Sequence, residues 1–172
     1  KGTPVFVRDP GATVNVSGGE LVGNGLACIA GNGSEGMGGT NINISGGTLT
    51  AKPYDDTSAA CGIYHPNEGT LKITGGTINV TGGVGVLMRG GQMDMTGGVI
   101  NALGDISKTG TVGDSRVVVT SSGVIFDRDA NYPAVATTKV NISGSSKVNG
   151  AKQAIELINE NKAADAETAI TV

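Results

Sequence analysis

One phrase returns along this chain: a serine or threonine followed by two glycines, set between two short apolar runs. It reads VNVSGGEL (14–21), INISGGTL (42–49), LKITGGTI (71–78) and MDMTGGVI (93–100), with weaker copies at VVVTSSGV (117–124) and VNISGSSKV (140–148). The first glycine falls at Gly18, Gly46, Gly75 and Gly97, with Ser121 and Gly144 as its counterparts. A strand–turn–strand unit returning every ~22–29 residues is the sequence signature of a solenoid.

Laying the copies on one another gives rows. Side chains at i and i+2 share a face of a strand. One inward row is Val14, Ile42, Leu71, Met93, Val117 and Val140, and the next is Val16, Ile44, Ile73, Met95, Val119 and Ile142. Between them runs a mostly polar outward row of Asn15, Asn43, Lys72, Asp94, Val118 and Asn141. The hydroxyl row at the turn can satisfy corner amides, and the glycines after it suit a corner that needs positive φ. After the corner, Leu21, Leu49, Ile78, Ile100 and Val124 point inward, with Val148 one residue late in the last copy.

A third strand recurs as Val5-Phe6-Val7, Cys28-Ile29-Ala30, Ile63-Tyr64-His65, Val86-Leu87-Met88, Val135-Ala136-Thr137 and Ile155-Glu156-Leu157, usually after a small residue. One more such strand is expected between Ala102 and Arg116. Three short strands per turn is the arithmetic of a parallel β-helix. The expectation is therefore an all-β fold: a single-stranded right-handed parallel β-helix (β-solenoid) of about six coils, each of three short strands, right-handedness following the rule for parallel crossovers. Residues 1–172 form one domain, with 151–172 as either a last coil or a helical cap and the extra coil preferred. The insertions GNGSEGMGGT (31–40) and KPYDDTSA (52–59) are expected as loops.

Composition narrows the functions. With 30 glycines and 5 prolines but no strict Gly-X-Y period, the chain is neither an ordinary globule nor collagen. A formal net charge of −3 argues against nucleic acid, which needs a basic stripe. Two cysteines, Cys28 and Cys61, are too few for a disulfide scaffold and read better as small buried thiols than as a pair. No membrane-spanning run or secretory signal occurs, and a repeat already running by Val5 reads as an excised piece of a longer protein.

Catalysis finds little to work with. Glycoside hydrolysis needs two carboxylates across a cleft. The acidic candidates are Asp55 and Asp56 in an insertion loop, Asp94 alone in the outward row, and Asp127 and Asp129 flanking a turn. The single histidine, His65, reads as a hydrogen-bonded turn residue rather than a general base. No cluster of histidines and cysteines makes a metal site, so neither metal nor cofactor is expected. The absence of tryptophan leaves little aromatic platform for sugars. The hydroxyl row, single and at a corner, does not make an ice-binding array. Asn-x-Ser/Thr occurs at Asn15, Asn32, Asn43, Asn79 and Asn141, and the repeat itself explains it.

The third strand stands apart. Strict alternation turns Phe6, Ile29, Tyr64 and Leu87 outward, followed by Ala136 and Glu156, with Arg8, His65 and Arg89 at the flanks. Four large apolar side chains on successive rungs make a stripe of roughly 15 Å, enough to centre a protein contact. Two alternatives stand beside this: a loop folds over the stripe and buries it, or the register is different.

The copies NINISGGTLTA, LKITGGTINV and MDMTGGVINA, with GIYHPNEGTLKI between them, resemble the β-helical repeat domains of large surface proteins from gut commensal bacteria. The resemblance covers nearly the whole chain and is strongest over 40–102. It implies an extracellular, cell-surface location and adhesin-like binding. For some members it implies binding of immunoglobulin variable domains in the manner of a superantigen. The Gly-Gly corner is scaffold, so the resemblance transfers no binding residue. The expected function is a non-catalytic module that engages a host protein, immunoglobulin first, through Phe6, Ile29, Tyr64, Leu87, Arg8, His65 and Arg89. The alternative is a β-helix that binds or cleaves polysaccharide.

Overall fold

A computed structural model describes residues 2–9, 11–31, 39–66, 68–104, 110–111, 118–119, 121–127, 138–158 and 168–172. Among these residues every regular element is a β-strand, and the two main sheets are wholly parallel. A short-strand sheet holds, in spatial order, β1 (Val5–Phe6), β3 (Ile29–Ala30), β5 (Ala60–His65), β7 (Gly83–Met88), β11 (Ser122–Asp127) and β14 (Gln153–Ile158). A long-strand sheet holds β2 (Thr13–Asn24), β4 (Asn41–Lys52), β6 (Thr70–Val80), β8 (Gln92–Ala102), β12 (Thr138–Ile142) and β15 (Thr168–Thr171), with β13 (Lys147–Gly150) also paired to β8. The chain visits the two sheets in alternation. It departs from this at β9 (Gly110–Thr111) and β10 (Val118–Val119), which pair antiparallel with each other, and at β12 and β13, which follow one another in the long-strand sheet.

The two strands expected on either side of the Gly-Gly corner are one strand. β2 and β4 run through it for 12 residues each. The ladder shifts register there: Ser17 pairs with Gly46, and Thr74 with Gly97, before regular pairing resumes at Glu20 and Thr77. Such a bulge bends a strand without ending it. The second glycine of each pair takes positive φ, 79° at Gly76 and 87° at Gly98. These repeats thus contribute two strands, one of them bent, rather than three, whereas the last copy keeps β12 and β13 as separate strands.

The inward rows of the long strands lie where alternation places them. Ile42, Leu71, Met93 and Val140 stack as partners and are wholly buried, as are Leu49, Ile78 and Ile100 after the corner. Burying one such side chain contributes roughly 1.5–3 kcal/mol. The facing sheet makes room for them: a side chain at Gly62, Gly85 or Gly123 would strike Ile78, Ile100 or Val148 respectively. This is the physical reason for the glycine near the start of β5, β7 and β11.

Three sequence assignments change. VVVTSSGV is not a copy of the corner, because Val124 pairs with Val86 in the short-strand sheet and β11 is the strand that follows β7. Val148, not Val124, continues the row below Ile100. No further short strand lies in the described part of 102–116, where Gly110–Thr111 pairs outside the two sheets. Val135-Ala136-Thr137 falls outside the described residues. The tail supplies a further rung: Ile155 pairs with Val124, and Ile170 with Val140.

Cys28 and Cys61 are free and buried, one in each of two core clusters. Burial raises the Cys28 thiol from 9.0 to about 11 and pushes Cys61 up as well. Neither is expected to react with a thiol reagent in the native protein near ~pH 8, and both should react together once urea unfolds it. The unfolded chain ionises first as pH rises past ~9 and then binds fewer protons than the folded one, so stability should fall across that window. Rapid labelling of one thiol in the native state would show that the two-cluster packing is wrong.

Candidate functional site

The outward row of the short-strand sheet, read from the pairing, is Phe6, Ala30, Tyr64, Leu87, Ile125 and Glu156. Ile29 does not belong to it. Ile29 pairs with Val5 and Ile63, sits in the inner core and has no exposed surface. The sequence alignment set Cys28 against Ile63, one residue out of step, and a one-residue slip in a strand moves a side chain to the opposite face. Ile125 takes the place expected of Ala136.

Nor is the row an open stripe. Tyr64 is 9% exposed, and Leu87 and Ile125 are fully buried. They form a second core with Ala27, Ala30, Ala59, Cys61, Val84 and Val119, against which Leu26 and Ile158 also pack. The middle of the short-strand sheet is therefore covered on both faces. β5, β7 and β11 are buried at every position. Parallel strands buried on both faces read as near-continuous apolar runs. GVGVLM and SGVIFD carry that signal, which the assumption of alternation concealed. Only Phe6, 46% exposed, and Arg8, whose guanidinium lies 5.4 Å from the Phe6 ring centre, remain as an open remnant of the expected stripe.

The other flanking residues are internal. Arg89 donates to the Tyr64 hydroxyl over 3.0 Å, and its Nε lies 3.3 Å from Oδ2 of Asp127. The side chains of this ion pair are 3% and 0% exposed. His65 is fully buried, with Nδ1 3.2 Å from the carbonyl of Gly90 and Nε2 3.0 Å from that of Thr40. A neutral ring donates to one of these oxygens and a protonated ring to both. The protonated ring ties the loop after β3 to the one after β7, and the neutral ring holds one of the two. His65 was expected at a surface turn and Asp127 beside a turn, and both are fully buried.

The remaining acidic candidates are engaged locally. Oδ1 of Asp55 accepts from the amide and hydroxyl of Thr57, which hold its carboxyl below the usual range. Asp94 accepts from Asn141 over 2.8 Å. Asp129 lies outside the described residues. Among the described residues, no group of three or more His, Cys, Asp or Glu side chains is placed to hold a metal ion.

The long-strand sheet presents the face that the short-strand sheet lacks. Beyond the corner, Val22, Thr50, Asn79, Asn101 and Asn149 stand on successive rungs, beside Glu20, Thr48, Thr77, Val99 and Lys147. All ten are exposed or half-buried. Asn149 donates to Asn101 and Asn101 to Asn79, over 2.8 and 2.9 Å, and Thr50 donates to Glu20 over 3.4 Å. Hydrogen bonding along the stack links Asn79, Asn101 and Asn149, and links Thr50 to Glu20, so half of the side chains on this open, mostly polar face are held by their neighbours. The Asn43 row is plain in the sequence; this one is signalled by Thr or Asn two residues beyond Gly-Gly-x in three of the four Gly-Gly copies, at Thr50, Asn79 and Asn101.

Comparison of the chain with known protein families, with characterised proteins and with solved structures finds no match.

Proposed function

We propose that the chain is a right-handed parallel β-helix module of a bacterial cell-surface protein, non-catalytic, that binds a host protein through a lateral face. Immunoglobulin is the first partner to test. The face is the one beyond the corner of the long-strand sheet, not the stripe centred on Tyr64 and Leu87. The supporting observation is the five-rung array from Glu20 and Val22 to Lys147 and Asn149, which is open and carries a hydrogen-bonded ladder of Asn79, Asn101 and Asn149. Pre-ordered side chains lose little freedom on association, which favours binding. The handedness rests on the crossovers: each return to a sheet is a parallel connection, and such connections are right-handed in most known proteins.

Pull-down from serum and mucosal secretions tests the reading. The chain is expected to retain immunoglobulin, and Thr77→Arg with Asn101→Arg should lower capture by at least about tenfold, which is ~1.4 kcal/mol. Both positions are partly exposed, so melting should shift little. Capture that survives these changes, or no captured host protein at all, overturns the proposal.

A further inference from the structure

We propose that a groove at the first rung of the long-strand sheet binds a carboxylate-bearing saccharide. The groove has a volume of about 790 Å³, within the roughly 300–1,000 Å³ of small-ligand sites. Asn24 and Lys52 are paired on adjacent rungs at the ends of β2 and β4 and form its floor together with Val22. The N-terminal segment makes one wall. It is tied down by the reciprocal bonds Gly2 N–H to Asn24 carbonyl at 2.8 Å and Asn24 N–H to Gly2 carbonyl at 3.2 Å. The turn that begins at Pro53 and Tyr54 makes the other.

That turn is built to hold Tyr54 in place. The Ser58 hydroxyl accepts from the amides of Tyr54 and Asp55, each at 3.2 Å. Asp55 turns its carboxylate onto Thr57 and away from the groove chemistry. The Tyr54 side chain is nevertheless 55% exposed, and Val22 is 50% exposed. A large aromatic ring on a braced turn, lining the groove with an exposed valine and a proline, presents an apolar surface to a ligand.

The polar groups decide the ligand. The side chains of Asn24 and Lys52 have no hydrogen-bond or ion-pair partner among the described residues, and both face the same space. A purely apolar ligand would leave them unpaired at a cost. A pyranose meets the whole set: its C–H face lies on Tyr54 and Pro53, its hydroxyls pair with the amide of Asn24 and the hydroxyl of Thr3, and a ring carboxylate pairs with Lys52. Among the described lining residues Lys52 supplies the one ammonium and no guanidinium fork is present, which suits a single carboxylate as a point-charge partner. Two sources share this chemistry, a sialic acid at the end of a host glycan and a uronic acid in a plant or bacterial polysaccharide.

Titration of the intact chain, followed by amide and aromatic chemical shifts, tests the proposal with three probes: a sialyl-trisaccharide, a trigalacturonate and a neutral trisaccharide. In an open groove with few contacts, the acidic sugar that fits is expected to bind with a Kd of about 0.1–1 mM, and the neutral one about tenfold more weakly. Shifts should centre on Tyr54 and Lys52. Lys52→Ala should reduce the acidic sugar to the neutral level, Lys52→Arg should keep most of the binding, and Tyr54→Ala should abolish it. Whichever acid binds identifies the source. Failure of both acids to bind at ~10 mM, equal binding of acidic and neutral sugars, or binding that survives both Lys52→Ala and Tyr54→Ala overturns the proposal. The acidic-to-neutral comparison needs no variant, so it stands even if one misfolds. The test is separate from host-protein capture, which is read at Thr77 and Asn101.

Discussion

Gly75→Ala is expected to destabilise the protein by about 3 kcal/mol or more, while the same change at Gly18 should move it by less than ~1 kcal/mol. Both residues are the first glycine of the repeated phrase, so local sequence predicts equal effects. The stacked structure does not. A Cβ at Gly75 would lie 2.5 Å from the carbonyl oxygen of Ser45 on the preceding rung, and backbone cannot give way as a side-chain tip can. Gly18 lies on the first rung described, and a Cβ there meets nothing within 4 Å. Gly76→Ala should cost at least as much as Gly75→Ala. Its φ of 79° is unfavourable to an L side chain by ~1–2 kcal/mol, and its Cβ would also sit 3.0 Å from the carbonyl oxygens of Gly46 and Gly47. Urea denaturation midpoints compare the three directly. Equal losses at Gly18 and Gly75 would show that the glycines serve backbone entropy rather than close stacking.

Arg89→Ala is expected to cost about 3–5 kcal/mol, because it leaves the fully buried Asp127 carboxylate without its guanidinium. Arg89→Met combined with Asp127→Leu should recover most of that loss, since neither charge is then left in the second core. The contrast is Arg8→Ala, which removes an exposed contact with the Phe6 ring and should cost under ~1 kcal/mol. A double-mutant cycle over Arg89 and Asp127, read by chemical denaturation, gives the coupling. If Arg89→Ala proves as mild as Arg8→Ala, the second core is not closed over this pair, and the stripe returns as a candidate binding face. For the same reason Leu87 and Tyr64 are poor probes of binding: changing them would disturb the fold before any surface contact.

Much of the scaffold was legible because two periodicities coincide in the long strands. Alternation sorts Ile42, Ile44 and Leu49 from Asn43 and Thr50, and the Gly-Gly phrase sets one copy over the next. The corner rows and the parallel pairing of β2, β4, β6 and β8 follow from those signals alone. The short strands lack both. GVGVLM has no alternation to choose a face, and Cys28-Ile29-Ala30 has no fixed marker to set its register. A side-chain period of two turns a single-residue error at Ile29 into an error of face.

The candidate site was harder to read than the scaffold. The ordered face needs Asn79, Asn101 and Asn149 to hydrogen-bond across rungs, which a row in an alignment suggests but does not establish. The groove needs residues 2–4 beside 52–54, and no local pattern links those two stretches.

What the amino-acid sequence determined by itself was the repeat, and with it parallel stacking, the position of the Gly-Gly corners and the inward side of β2, β4, β6, β8 and β12, because each depends on neighbours a fixed number of residues away. Only the tertiary structure decided which outer face stays open. Covering Tyr64, Leu87 and Ile125, and bringing Arg89 to Asp127, depends on segments such as β10 that follow no repeat. Burial by such a segment is a property of where the chain returns in space, and side-chain periodicity within a strand carries no record of it.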